Sequence, residues 1–330
     1  MWTLWGFNTS NADYLNYEQI YNYMGYKSLS SYGGVELGFG RLMYIVNQLG
    51  INYQGFLKIL SFICLILYGI SFKRLSDKPG YLFIMYLYFP FFLDIMQIRN
   101  ALAAAIVVNA LPYILKKKYI IFTIIIIIAS FFHTTSLFYL LLLLTQLDLK
   151  KVRYISFIGS LVVMPIVIYF KDIFLNMLRD GQKYIIYFRG NSVRAQLLYF
   201  LFMIIFILIC SKLEKNTIAL RRFNGVDIEN DYFYKVISFL HKTSYIMMFL
   251  LPLLWLDSDF FRLFRNIIIL FYVAVIDQFN TKTFIKKYII FDVASVIFII
   301  LVGINYLYYY QWDSLFIEVL KNNLFWESFK

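Results

Sequence analysis

Four side chains combine a charge or a titratable group with a place at the edge of an apolar run: Arg99, His133, Glu36 and Asp13. Arg99 opens a run rich in alanine, and at helical spacing Ala103, Ile106 and Ala110 fall on its face, with Ala101, Ala104 and Ala105 nearby. Small residues let helices approach closely, so Arg99 is expected to face a bundle interior. A guanidinium there offers a fork matched to phosphate oxygens and keeps its charge in a partly dry site. It can equally pair with Asp94 or cap a helix. His133 stands in Phe131-Phe132-His133-Thr134-Thr135-Ser136. An imidazole can take a proton from an attacking hydroxyl, or simply bond a backbone carbonyl at a corner. Glu36 and Asp13 are the carboxylates placed for acid–base work, although an acid at a helix N-terminus is also stabilised by the macrodipole.

The elements that must position these groups are membrane helices. Of 330 residues 61% are hydrophobic and only 15% charged, against roughly 45–50% and 25% in soluble domains. The apolar residues fall in runs long enough for a ~30 Å hydrocarbon core. Unbroken runs such as 120–128 lack the alternation of barrel strands. The expected fold class is all-α, a polytopic integral membrane protein with about 10 spans, near 56–73, 80–97, 99–115, 119–132, 134–149, 154–170, 195–211, 236–256, 264–277 and 288–307. The fourth and fifth are expected to form a tight hairpin at His133-Thr134. Residues 1–55 read as an extracytoplasmic segment containing an amphipathic helix over 36–49, 56–307 as the membrane domain, and 308–330 as an extracytoplasmic tail. In the amphipathic helix Glu36, Gly40 and Asn47 share one face, opposite Leu42, Ile45, Val46 and Leu49.

The formal net charge of +12 does not point to nucleic acid, because the basic residues cluster between spans. Lys73, Arg74 and Lys78, Lys116 to Lys118, Lys150, Lys151 and Arg153, the stretch from Lys212 to Lys235, and Lys282 to Lys287 all fall on one side. By the positive-inside rule that side is cytoplasmic. The Arg99 and His133 corners, the loop 171–194, residues 257–265 and both termini then lie outside. Arg179, Lys183, Arg189 and Arg194 make that outer loop basic against the trend, which suits an anionic headgroup or diphosphate, or is merely a solvated face. Arg262 and Arg265 have weaker support. His241, beside Lys242, reads as a cytoplasmic interfacial histidine. Cys64 and Cys210 sit inside apolar runs and suggest neither disulfide nor metal. No P-loop, dinucleotide fingerprint, zinc-protease motif or nucleophile elbow occurs. The opening residues 1–7 look like the tail of an apolar segment, so a preceding helix is expected to be missing.

The motifs Asp13-Tyr14-x-x-Tyr17, Glu36-x-Gly38, Ile98-Arg99-Asn100-Ala101-Leu102-Ala103 and Phe131-Phe132-His133-Thr134-Thr135-Ser136, in this order, resemble the EpsG family, most strongly over residues 10–145. These are Wzy-like polymerases of bacterial exopolysaccharide and capsule. The resemblance implies a glycosyltransferase at the outer face of the bacterial cytoplasmic membrane, joining repeat units carried on polyprenyl diphosphate. It implies Arg99 and the basic loop beside the departing diphosphate, and His133, Glu36 or Asp13 as the base for the acceptor hydroxyl. Arg99, Asp94, Arg189, Arg194 and Tyr17 are the candidate substrate-binding residues. No cofactor, nucleotide or metal is required in principle. Partners would be the lipid-linked oligosaccharide, the bilayer, and other assembly proteins such as a flippase or chain-length regulator. Asn100 stands where a glutamine is expected in the family.

Two other classes remain open on the sequence. A flippase of lipid-linked oligosaccharide would want a polar central cavity. A membrane O-acyltransferase of surface glycans would make His241 matter more than His133.

Overall fold

The computed structural model describes residues 1–24, 35–170, 193–228, 230–280, 286–304 and 312–327. Among the described residues the regular elements are helices. Met1–Leu137 with Val296–Lys330 pack as one unit, and Phe138–Ser295 as a second.

The first unit holds α1 (Trp2–Gly6), α2 (Tyr14–Met24), α3 (Leu37–Gln48), α4 (Tyr53–Leu75), α5 (Pro79–Tyr88), α6 (Phe91–Met96), α7 (Ile98–Leu115) and α8 (Tyr119–Ser130). Its centre is α7, packed between α4 and α8. Ala101, Ala103, Ala104, Ala105 and Ala110 are all buried, which is what lets three helices close on one axis. Asn109 joins α7 to α4 by donating to the Leu67 carbonyl at 2.8 Å. Lys73 and Arg74 end α4, and Lys116 to Lys118 close the corner between α7 and α8. Asn52, Gln97 and Ser130 therefore mark the opposite end of this bundle.

Among the described residues five helices are long and apolar enough to cross a membrane: Tyr53–Leu75, Ile98–Leu115, Leu149–Tyr169, Val193–Phe223 and Tyr232–Leu256. Other expected spans take different forms. The run 80–97 is not one helix; it breaks at Phe89 and Pro90 into α5 and α6, because proline has no N–H to donate and its ring crowds the preceding turn. Thr134–Gln146 is a 3₁₀ helix. At ~2.0 Å per residue such a helix covers about 26 Å in 13 residues, close to a hydrocarbon core. From Phe138 onward it belongs to the second unit, where the Tyr139 hydroxyl donates to the Leu263 carbonyl at 2.9 Å.

The second unit is built on α9 (Leu149–Tyr169), α10 (Val193–Phe223), α11 (Tyr232–Leu256), α12 (Phe261–Asn266) and α13 (Ile269–Asn280). Gly159 of α9 lies against the Phe249 ring, and Ser160 donates to the Met248 carbonyl at 2.9 Å. The 31 residues of α10 exceed what a bilayer needs at 1.5 Å each. Its last part carries Glu214, Thr217 and Arg221 on one face. Arg221 meets Asp277 and Asp231 at 2.9 and 3.0 Å, Gln278 donates to Thr217, and Lys242 caps the Thr145 and Leu147 carbonyls.

The two ends of the chain meet in the first unit. Asn8 and Asn323 form an isolated antiparallel bridge. Asn323 donates from its carboxamide to the Thr3 and Leu4 carbonyls, both at 3.1 Å.

Candidate functional site

Glu36 is the residue just before α3, and the helix does not use its side chain as a cap. The carboxylate instead turns outward from its own helix and bridges the first turn of α7 and the corner after α8. One oxygen, Oε2, takes the Arg99 Nη1 at 2.9 Å. The other, Oε1, lies 2.8 Å from His133 Nδ1 and accepts the Thr134 backbone N–H at 3.3 Å. Arg99, in the first turn of α7, also donates from Nε to the Tyr17 hydroxyl at 3.0 Å. Its guanidinium carbon sits 5.6 Å from the centre of the Tyr17 ring. Four residues separated by up to more than a hundred positions thus form one chain, Tyr17–Arg99–Glu36–His133.

Backbone geometry brings these groups together. The Gly38 N–H donates to the Phe131 carbonyl at 2.9 Å, tying the first turn of α3 to the stretch leading into His133. A Cβ on Gly38 would lie 2.7 Å from that carbonyl oxygen. The Glu-x-Gly motif therefore has a physical content: the acid reaches across only because the residue two places on has no side chain.

Electrostatics follow from this. Burial alone would push the Glu36 carboxyl up, but the His133 hydrogen bond and the Arg99 and His133 charges outweigh it, holding it at about 2. It is a carboxylate at any physiological pH. A carboxylate only accepts hydrogen bonds, so His133 Nδ1 carries a proton, and in the neutral ring Nε2 carries the lone pair. Burial pushes the Tyr17 hydroxyl up, with Arg99 opposing. Tyr17 remains a neutral phenol.

The other candidates lie elsewhere. Asp13 precedes α2, and its carbonyl accepts the Tyr17 N–H at 3.0 Å; its carboxylate charge is felt at the Tyr17 hydroxyl one turn on. Asp94 is buried and takes the hydroxyls of Tyr86 at 2.8 Å and Tyr68 at 3.2 Å. Arg99 pairs with Glu36, whereas nearby Asp94 was one of the pairings the sequence left open. The Asp94 cluster also places a carboxylate deep among the helices, which the sparse polar pattern did not suggest. Arg194 is exposed at the start of α10 in the second unit. Arg189 lies outside the described residues. His241 is buried, with Nδ1 2.6 Å from Glu214. Tyr68, Tyr86 and the Thr134 N–H were not singled out in the sequence. The tyrosines fall at helical spacing inside apolar runs and look like core; a main-chain donor leaves no mark at all.

Among the described residues no group of three or more His, Cys, Asp or Glu side chains could hold a metal ion. What the cluster offers instead is a carboxylate-oriented imidazole beside a guanidinium.

A polytopic helical membrane protein carrying a His–carboxylate–Arg cluster at the end of its bundle away from the lysine corners is the class so defined. The chain belongs to the EpsG family, whose family model matches residues 1–316, well beyond the motifs of the first half. It is thus a membrane protein of polysaccharide biosynthesis. No curated protein and no solved structure matches it.

Proposed function

We propose that the chain is a glycosyltransferase that joins polyprenyl-diphosphate-linked oligosaccharide repeat units into exopolysaccharide or capsule at the outer face of the bacterial cytoplasmic membrane. The observation that carries this reading is the shared carboxylate: Glu36 holds His133 Nδ1 at 2.8 Å and Arg99 Nη1 at 2.9 Å. His133 Nε2 removes the proton from the acceptor sugar hydroxyl as its oxygen bonds to the donor's anomeric carbon. The bond from that carbon to the diphosphate breaks, and the diphosphate leaves with the electron pair. Arg99, with 26% of its side chain exposed, faces the departing charge. Before reaction the Arg99–Glu36 pair is neutral in sum. Once His133 takes the proton, the cluster carries one positive charge just as the leaving group gains a negative one. Tyr17, a phenol accepting from Arg99, still has its own proton to donate to a sugar or phosphate oxygen. The lipid diphosphate carries the activation, so no nucleotide is needed.

Deleting the gene and characterising the lipid-linked glycans tests this. Single repeat units exported but not joined are the expected result. Units held inside would favour a flippase, and full-length unacylated polymer an acyltransferase. Either would overturn the proposal.

A further inference from the structure

We infer that α3 lies in the plane of the membrane, seated in the lipid interface at the site end of the bundle, with Arg41 on an anionic lipid phosphate. Both ends of α3 are tied to the same end of the first unit. At its start, Gly38 bonds the Phe131 carbonyl just past the end of α8. At its finish, Gly50 turns in the left-handed region at φ 75°, and Asn52 caps α4 by accepting the Gly55 N–H. A helix of 12 residues spans about 18 Å at 1.5 Å each. Fixed at both ends to the mouths of membrane helices, it cannot stand away from the interface.

Its buried side is Phe39, Gly40, Met43 and Val46. The other side departs from the expected pattern, because beside the exposed Gln48 it carries large apolar residues: Leu37, Ile45 and Leu49 are 50%, 57% and 71% exposed. Arg41 lies among them and is exposed. Leaving three large aliphatic side chains in water is unfavourable, whereas apolar residues flanking a cation are the pattern of a helix lying in a bilayer interface. The surface is also continuous with a lipid-facing one. Ile120, Ile124, Ile127, Ile128 and Phe131 form an exposed stripe along α8, which ends where Phe131 meets the first turn of α3. The occupant is thus the bilayer, and Arg41 supplies the charge complementary to its phosphates. On the glycosyl-transfer reading this would bring a lipid phosphate to the edge of the Glu36 cluster, but the membrane contact stands without it.

Cys64 and Cys210 are buried, so cysteines introduced as Ile45→Cys or Leu49→Cys in the full chain can be spin-labelled selectively. In phosphatidylcholine vesicles both labels are expected to collide several-fold more with oxygen than with a water-soluble nickel chelate, as a label at Ile124→Cys does. Adding phosphatidylglycerol is expected to deepen them. Arg41→Gln should abolish that lipid dependence and Arg41→Lys retain it, which separates loss of charge from misfolding. Labels at 45 and 49 open to the chelate, or a phosphatidylglycerol effect unchanged in Arg41→Gln, would overturn the inference. No glycosyl transfer enters the measurement, so its outcome is separate from that of the proposed reaction.

Discussion

Arg99 meets Tyr17 through Nε and Glu36 through Nη1, two different nitrogens. A lysine has one point charge and cannot reproduce that fork. Arg99→Lys is therefore expected to lower polymer per unit of membrane protein by at least about tenfold, an effect worth roughly 1.4 kcal/mol in transition-state terms, while the protein still accumulates. Immunoblot and polymer assay together check this, and near-normal polymer would count against a phosphate role. Glu36 makes a pH-dependent contribution whose sign is fixed by its carboxyl, at about 2 in the fold against 4.5 unperturbed. A depressed carboxyl stabilises the fold above about pH 4.5 and loses that contribution as pH falls toward 2. The full difference is on the order of 3 kcal/mol. In detergent, the unfolding midpoint of the wild type should fall toward that of Glu36→Gln as the pH drops from 4.5 to 2. A gap that does not narrow in acid would show that the ion cluster is not what Glu36 contributes.

At the scale of the element, two glycines in α3 make opposite predictions. A Cβ at Gly38 would press on the Phe131 backbone at 2.7 Å, and neither side can yield by rotating a side chain. Gly38→Ala should push the start of α3 away, separate Glu36 from His133 and cost about 1–3 kcal/mol, with polymer lost in parallel. At Gly40 the nearest atom is the flexible Met24 Cε at 3.4 Å. Gly40→Ala should be neutral, or stabilising by up to about 1 kcal/mol from helix propensity. Thermal unfolding of the two variants side by side is the check; equal effects would mean the close approach at Gly38 does not matter.

For the molecule as a whole, the bridge between Asn8 and Asn323 constrains topology. The two residues are on the same side of any membrane, so the chain between them crosses an even number of times. Among the described residues five helices are long enough to cross. Shorter apolar helices such as α8 and Thr134–Gln146 are further candidates for completing that even number. Asn323 holds two main-chain carbonyls of the opposite end of the chain. Asn323→Ala should leave them without that donor and cost about 1–3 kcal/mol, read as earlier unfolding and faster proteolysis of residues 312–327. A variant as protease-resistant as the wild type would show that the clasp adds nothing.

Composition and the length of the apolar runs determined by themselves that this is a helical membrane protein, because a bilayer leaves the backbone few choices. The motif residues Glu36, Arg99 and His133 were legible for the same kind of reason: a polar group at the edge of an apolar run is costly unless it has a use. Which acid pairs with Arg99 was decided only by the tertiary structure. Asp94 is five residues from Arg99 and Glu36 is sixty-three away, yet the distant one bonds, because the helix break at Pro90 turns Asp94 onto Tyr68 and Tyr86 while Gly38 lets α3 close on Phe131. Linear spacing does not record which helix ends share a corner. The packing of backbone against backbone does.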